Sequence, residues 1–315
     1  MTSVAPDLAG LRAGGKRTLA DALCALETAP GDPALAALLD AALAAPRGLA
    51  LGLTGPPGVG KSTLINALIA LLRRRGQSVG VIAVDPSSRR SGGALLGDRT
   101  RIETDPEDVG VFVRSMAARR RLGGLAEITY PATVLMRAVF DLVIVETVGV
   151  GQSEAEIVDC ADLVVLCVQP GAGDALQFMK AGVMETPDLV LVTKGDLGAA
   201  ARRAAADVRG ALSLAVEAGV PAEVAVVSAL DGEGLEAALD LIAARAASER
   251  DAGRLAARRR SQGLAWVRLR LAESFGSVGV EALAPRLATS DGMFSTFAAL
   301  DEAARAALYK FLKEV

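Results

Sequence analysis

The chain has 315 residues, room for one large domain or two modest ones at roughly 100–200 residues per domain. Hydrophobic residues make up 51% and charged residues 23%, the balance of a globular protein with a packed core, and no histidine is present. That absence excludes Ser-His-Asp triads, Cys-His dyads and histidine metal sites, while a net charge of −3 and an aromatic content of 3% argue against a nucleic-acid partner.

Residues 7–45 are rich in Ala and Leu at helical spacing, and two or three helices are expected, broken at Gly14-Gly15 and at Pro30-Gly31-Asp32-Pro33. From about Leu49 short apolar runs take over: LALGLTG, SVGVIAVD, VGVFV, DLVIVET, ADLVVLCV, DLVLVT and EVAVVSA. Helix-like stretches at 60–75, 132–139, 174–184, 199–218 and 233–247 lie between them. This alternation predicts an α/β fold, a mainly parallel sheet with helices on both faces. The tail is helical again. The spacing of Trp266, Leu269, Leu271 and Phe275 suits a helix packed on its own domain, with a partner helix or dimer interface as the other reading. The Arg258–Arg260 run reads as a solvated helix face. The expected division is 1–47 as an N-terminal helical extension, 48–248 as the α/β domain and 249–315 as a C-terminal helical extension.

Cys24, Cys160 and Cys167 are scattered and form no CxxC pair, which suits a reducing compartment. The N-terminus lacks a basic and apolar leader and no apolar run reaches about 18 residues, so the expected location is cytoplasmic, without a membrane span.

Gly55-Pro56-Pro57-Gly58-Val59-Gly60-Lys61-Ser62 fits G-x-x-x-x-G-K-[ST], with a strand-like run before it and an apolar helix, STLINALIALLRRRG, after it. Glycines let backbone N–H groups turn toward phosphates, and the helix N-terminus adds a favourable dipole. Lys61 is expected on the β- and γ-phosphates, the Ser62 hydroxyl on Mg²⁺ and Thr63 near the α-phosphate. Glu146, ending the run DLVIV, is placed to hold the Mg²⁺ shell, and the Gly149 N–H to meet the γ-phosphate. Asp85, ending the run VGVIAVD, and Asp98 are further candidates for that shell or for positioning water.

Thr193-Lys194-Gly195-Asp196 directly follows the strand-like DLVLV. A carboxylate there can accept both N1–H and N2–H₂ of guanine, a donor pair adenine lacks, and Lys194 would lie along the base face. Ser228 and Ala229, after the next strand, occupy another base-side loop. Threonine at 193, where asparagine is usual, is expected to remove an amide that braces the phosphate loop.

Four blocks then add a resemblance: 84–102 (VDPSSRRSGGALLGDRTRI), 112–126 (FVRSMAARRRLGGLA), 146–154 (ETVGVGQSE) and 171–182 (GAGDALQFMKAG). In order and spacing around the phosphate loop they resemble the MeaB/ArgK family of cobalamin-associated GTPases, from about residue 11 to 270. The resemblance implies a P-loop G-domain of the SIMIBI type that hydrolyses GTP to GDP with Mg²⁺. It also implies a chaperone of a B12-dependent acyl-CoA mutase, typically methylmalonyl-CoA mutase, gating adenosylcobalamin loading and damaged-cofactor removal, and a homodimer built on the C-terminal extension. Carried over, 85–101 resembles a first switch, 146–154 a second and 171–182 a third, in which Asp174, Gln177 and Lys180 match. Lys180 is a candidate to stabilise developing phosphate charge, against a solvated helix lysine. Gln152 is a candidate to orient water, against a capping or surface role. Ala118 and Arg120 depart from the family's Thr and Gly, and residues beyond about 275 match it poorly.

Three rival readings stand beside it. A nickel metallochaperone GTPase would carry Cys/His ligands near the switches, and this chain has no histidine and no close cysteine pair. An ATP-dependent kinase or transport ATPase would have no use for Asp196. A structural module would bind nucleotide without hydrolysing it. With no histidine, a D-x-H-x-x-G cobalamin motif is absent, so coupling to B12 is expected through the partner.

Overall fold

The computed structural model describes residues 5–86, 102–118, 128–147, 156–171, 187–214, 222–288 and 292–314. They form two compact units. One, spanning 48–129 and 140–255, carries the sheet; the other gathers 1–47, 130–139 and 256–315 and is helical.

In the first unit seven strands lie in the order β3-β2-β4-β1-β5-β6-β7, every neighbouring pair parallel. They are β1 (Leu49–Thr54), β2 (Val79–Pro86), β3 (Val111–Ala118), β4 (Leu142–Glu146), β5 (Leu163–Val168), β6 (Leu189–Val192) and β7 (Glu223–Val226). The seven apolar runs of the sequence are these seven strands. α4 (Lys61–Arg74) lies between β1 and β2, α6 (Ala199–Leu214) lies between β6 and β7, and α7 (Leu235–Asp251) follows β7. Leu49, Leu51 and Leu53 of β1 join Leu64, Leu68 and Leu71 of α4 and Leu239 and Ile242 of α7 in one core layer. On the other face Leu166, Val168, Val190 and Val192 pack with Ala201, Ala205 and Val208 of α6. Burial on both sides is why the strands read as unbroken apolar runs rather than as alternating ones.

β3 runs further than the run VGVFV suggested, to Ala118. It is an edge strand that pairs with β2 alone, so Arg114 and Ser115 are tolerated where a central strand would carry apolar residues.

Three strands open with the same tripeptide, Asp-Leu-Val, and the aspartate has one task in each. Asp141 N–H donates to Ser78 O at 3.2 Å while its Oδ2 accepts from Ser78 N at 2.8 Å. Asp162 pairs in the same two ways with Ala50, both at 2.8 Å, and Asp188 with Val164, at 2.8 and 2.9 Å. Each carboxylate thus satisfies a backbone donor at the N-terminal rim of the neighbouring strand, which otherwise costs about 1–3 kcal/mol when buried. The rim opposite the phosphate loop is closed by this device.

The second unit holds α1 (Leu8–Ala13), α2 (Gly15–Thr28) and α3 (Pro33–Ala44), with breaks at the expected Gly and Pro positions. Asp7 and Asp32 cap α1 and α3 through their side chains. α5 (Thr129–Val139) lies almost wholly in this unit, together with α8 (Arg254–Ala288) from Ala256 onward and α9 (Met293–Glu314). α8 breaks at Gly276, whose φ of 65° leaves the helical region. Its apolar stripe is covered within the chain: Trp266 meets Tyr130, Phe294 and Phe297 at ring distances of 6.2, 5.1 and 5.6 Å, and Val267 and Leu271 are buried. Among the described residues no helix is long and apolar enough to cross a membrane.

Candidate functional site

β1, at the centre of the sheet, delivers the chain into the glycine loop, and α4 carries it away. Gly55, Gly58 and Gly60 all have positive φ, of 140°, 76° and 98°. Gly55 has a second constraint: a Cβ there would stand 2.3 Å from the Cys167 carbonyl oxygen of β5, so the loop can leave the sheet only at a residue without a side chain. Gly60 caps α4 in the left-handed conformation and offers no side-chain acceptor, so the first-turn N–H groups of Lys61, Ser62 and Thr63 face outward for an anion. Val59 is buried beneath the loop, whereas Pro57 and Gly58 are exposed at its tip.

Lys61 is only 7% exposed, and its Nζ donates to Gly55 O at 2.6 Å and Pro56 O at 3.2 Å. The ammonium thus spans the mouth of its own loop, where bound phosphate oxygens would compete for the same donors. Ser62 Oγ donates to Glu146 Oε1 at 3.1 Å. The sheet register accounts for this meeting, because Leu53 of β1 pairs with Glu146 at the end of β4. A hydroxyl and a carboxylate are hard oxygen donors, and their separation suits adjacent ligands of an octahedral cation with bonds of about 2.0–2.1 Å. The residues therefore fit Mg²⁺: Ser62 and Glu146 would hold it, and it would neutralise charge on the β- and γ-phosphates. Asp85 lies in β2, two residues beyond the position that pairs with Glu146, at the same rim of the sheet. Asp98, Gly149, Gln152 and Lys180 lie outside the described residues.

Under this floor sits Cys167. Burial pushes its thiol up to about 12 from 9.0; Lys61 opposes that shift and Glu146 adds to it. The thiol is thus a neutral neighbour of the phosphate site, a position its sequence context did not reveal.

The second half of the site lies past β6. Thr193 Oγ is 2.7 Å from Val59 O and 3.0 Å from Val168 O. Thr193 supplies no amide, as expected from its identity, but its short β-branched hydroxyl at the strand end reaches the loop carbonyl directly. Lys194 adopts φ 56°, the left-handed region, and its Nζ donates to Gln169 Oε1. That turn exposes Asp196, and Ser228 Oγ donates to Asp196 Oδ1 at 3.2 Å. Ser228 is fully buried and also lies 3.3 Å from Asp231 Oδ2, while Asp231 N–H returns a bond to the hydroxyl at 3.2 Å. Gly195 N–H to Val227 O, 2.9 Å, ties the two base-side loops together, with Ala229 half-buried at the second. Gln169 and Asp231 carry no motif and are legible only once the loops are adjacent. A chain order that reverses sides about β1 places all of these groups at the C-terminal ends of the strands, where open parallel sheets bind ligands.

A seven-stranded parallel sheet, a glycine loop feeding a helix, and a carboxylate on the adjacent strand define a P-loop nucleotide-binding protein of the SIMIBI type. Residues 19–280 match the family described as methylmalonyl Co-A mutase-associated GTPase MeaB, and the chain belongs to that family. A Caulobacter vibrioides chain named as a candidate GTPase is 39% identical over 89% of this chain and 90% of its own length. The mouse (Mus musculus) methylmalonic aciduria type A homolog, named as mitochondrial, is 41% identical over 69% of this chain and 54% of its own. A Pyrococcus horikoshii chain, also named as a candidate GTPase, is 55% identical over 46% of each chain, so the match spans about half the length of that relative. A solved structure described as LAO/AO transport system kinase matches with TM-score 0.64 and 28% identity, over 95% of this chain and 96% of that one.

Proposed function

We propose that the protein hydrolyses GTP to GDP and phosphate with Mg²⁺ and serves as a G-protein chaperone for a B12-dependent acyl-CoA mutase, most simply methylmalonyl-CoA mutase. The observation that carries the nucleotide chemistry is the convergence of Lys61, Ser62 and Glu146 on one side and Asp196 and Ser228 on the other at a single sheet rim. Lys61 and the backbone N–H groups from Gly58 to Thr63 bind the phosphates, with Gly55, Pro56 and Pro57 shaping the loop; Ser62 and Glu146 hold the cation, and Asp196 reads the base with Lys194 along its face. Thr193, Ser228 and Ala229 shape the base loops. Asp85, Asp98, Gly149, Gln152 and Lys180 complete the phosphate side in this reading. Phosphoryl transfer rests on positioning and charge neutralisation, so a chain without histidine has what the reaction needs.

The client assignment rests on the family description and on the name of the mouse relative. In this reading the GTP cycle gates adenosylcobalamin loading and removal of damaged cofactor, and residues 249–315 form a homodimer. The competing reading is an ATP-dependent kinase or transport ATPase, and Asp196 argues against it. The test is GTP turnover by the purified protein with and without methylmalonyl-CoA mutase. Acceleration of a slow basal rate is expected; an unchanged rate over a stoichiometric range of mutase would remove the client from the account.

A further inference from the structure

Two threonines stand where the strands around them are otherwise apolar. Thr54 ends β1, in LALGLT, and Thr147 follows β4, in LVIVET. Both are 1% exposed, and Thr147 Oγ donates to Thr54 Oγ at 3.0 Å. The Thr147 N–H also donates to Leu53 O at 3.2 Å. Valine has the same branching and suits a strand at least as well. Two buried hydroxyls are therefore a choice that packing alone does not explain. What they join is informative: Thr54 is the last residue before Gly55, and Thr147 the first after Glu146. One bond thus links the strand entering the phosphate loop to the strand presenting the carboxylate, directly next to the Ser62–Glu146 contact.

We propose that the Thr54–Thr147 hydroxyl pair is a positioning latch that holds the Glu146 carboxylate in register with Ser62 on the phosphate loop. The inference rests on the GTPase reading above. Neither threonine touches nucleotide in it; both act through Glu146. Loss of the latch lets the end of β4 shift against β1, which misplaces a cation ligand while the phosphate-binding N–H groups of the loop and the base loops stay intact. The expected signature is a fall in turnover and in Mg²⁺ affinity without a matching loss of nucleotide affinity. Supporting groups of this kind typically change metal affinity or activity about 10–100-fold.

The experiment compares wild type with Thr147→Val, Thr147→Ser, Thr54→Val and the Thr54→Val/Thr147→Val double variant. The double variant replaces both partners with apolar groups of the same shape, so it is expected to fold even where a single variant strands one hydroxyl. Two readouts are taken: kcat and KM for GTP, and the Mg²⁺ concentration at half-maximal binding of a fluorescent, slowly hydrolysed GTP analogue. Each valine variant is expected to lower kcat and raise the Mg²⁺ midpoint by about tenfold. KM stays within about twofold, Thr147→Ser tracks wild type, and the double variant is no worse than either single because one bond is lost in all three. A wild-type kcat and Mg²⁺ midpoint in the double variant would overturn the latch. So would a fall in nucleotide affinity equal to the fall in kcat. Wild type that releases no phosphate from GTP would count against the hydrolase reading alone, because the Mg²⁺ midpoint still decides the latch.

Discussion

In the proposed reading, Asp196 is the residue on which base choice turns. Its carboxylate is exposed at the rim and oriented by the buried Ser228 hydroxyl, so it can accept two donors from one base edge. Asp196→Asn exchanges an acceptor for a donor. GTP affinity is expected to fall about 10–100-fold, the value of a hydrogen bond to a charged group, while xanthosine triphosphate, with a carbonyl at C2, loses least. Nucleotide titration of the variant checks this, and equal losses for both nucleotides would refute the assigned contact. Cys167 gives a second prediction. Its thiol keeps its proton to about 12 in the folded state against 9.0 ordinarily, chiefly through burial. The unfolded chain releases that proton first as pH rises, so this contribution to stability is complete below about 9 and is lost between 9 and 12. Alkylation with iodoacetamide at pH 8 is expected to modify the exposed Cys24 and spare Cys160 and Cys167, as mass mapping would show. At this scale the motif residues were legible in the sequence because backbone spacing fixes the phosphate loop. The hydroxyl contact of Thr193 was not legible because it depends on Val59, distant in sequence, and Thr54, Thr147 and Asp231 were invisible for the same reason.

The strands announce themselves because burial on both faces leaves runs of Leu and Val that no surface helix carries. The Asp-Leu-Val openings were on the page as a repeat, yet their purpose is a relation between neighbouring strands and needed the sheet order. Asp162 is the most enclosed of the three, with no exposed surface. Asp162→Ala leaves the Ala50 N–H without its acceptor and is expected to cost about 1–3 kcal/mol in urea unfolding, with GTP affinity unchanged because this rim lies opposite the phosphate loop. Asp162→Asn keeps a side-chain oxygen and is expected to lose less. A change in nucleotide affinity without a change in stability would contradict the structural assignment. The edge strand β3 was underestimated in the sequence because Arg114 and Ser115 break an apolar run, and only its place at the edge explains their presence.

For the whole molecule, the family assignment and the site describe one device: a nucleotide-binding sheet whose reactive groups gather at one rim, accompanied by a helical unit with its own core around Trp266, Phe294 and Phe297. The division between sheet-forming middle and helical ends was legible because the spacing of apolar residues changes near Leu49. That 130–139 joins the helical unit was not, since only long-range contacts recruit that segment. The proposed chemistry is that this rim hydrolyses GTP in preference to ATP. Phosphate release under single-turnover conditions with Mg²⁺, from GTP and from ATP in parallel, tests it most directly. Slow, complete release from GTP is expected, at least about tenfold faster than from ATP, the margin that one charged hydrogen-bond partner supplies. Equal rates for the two nucleotides, or tight GTP binding with no release, would contradict it.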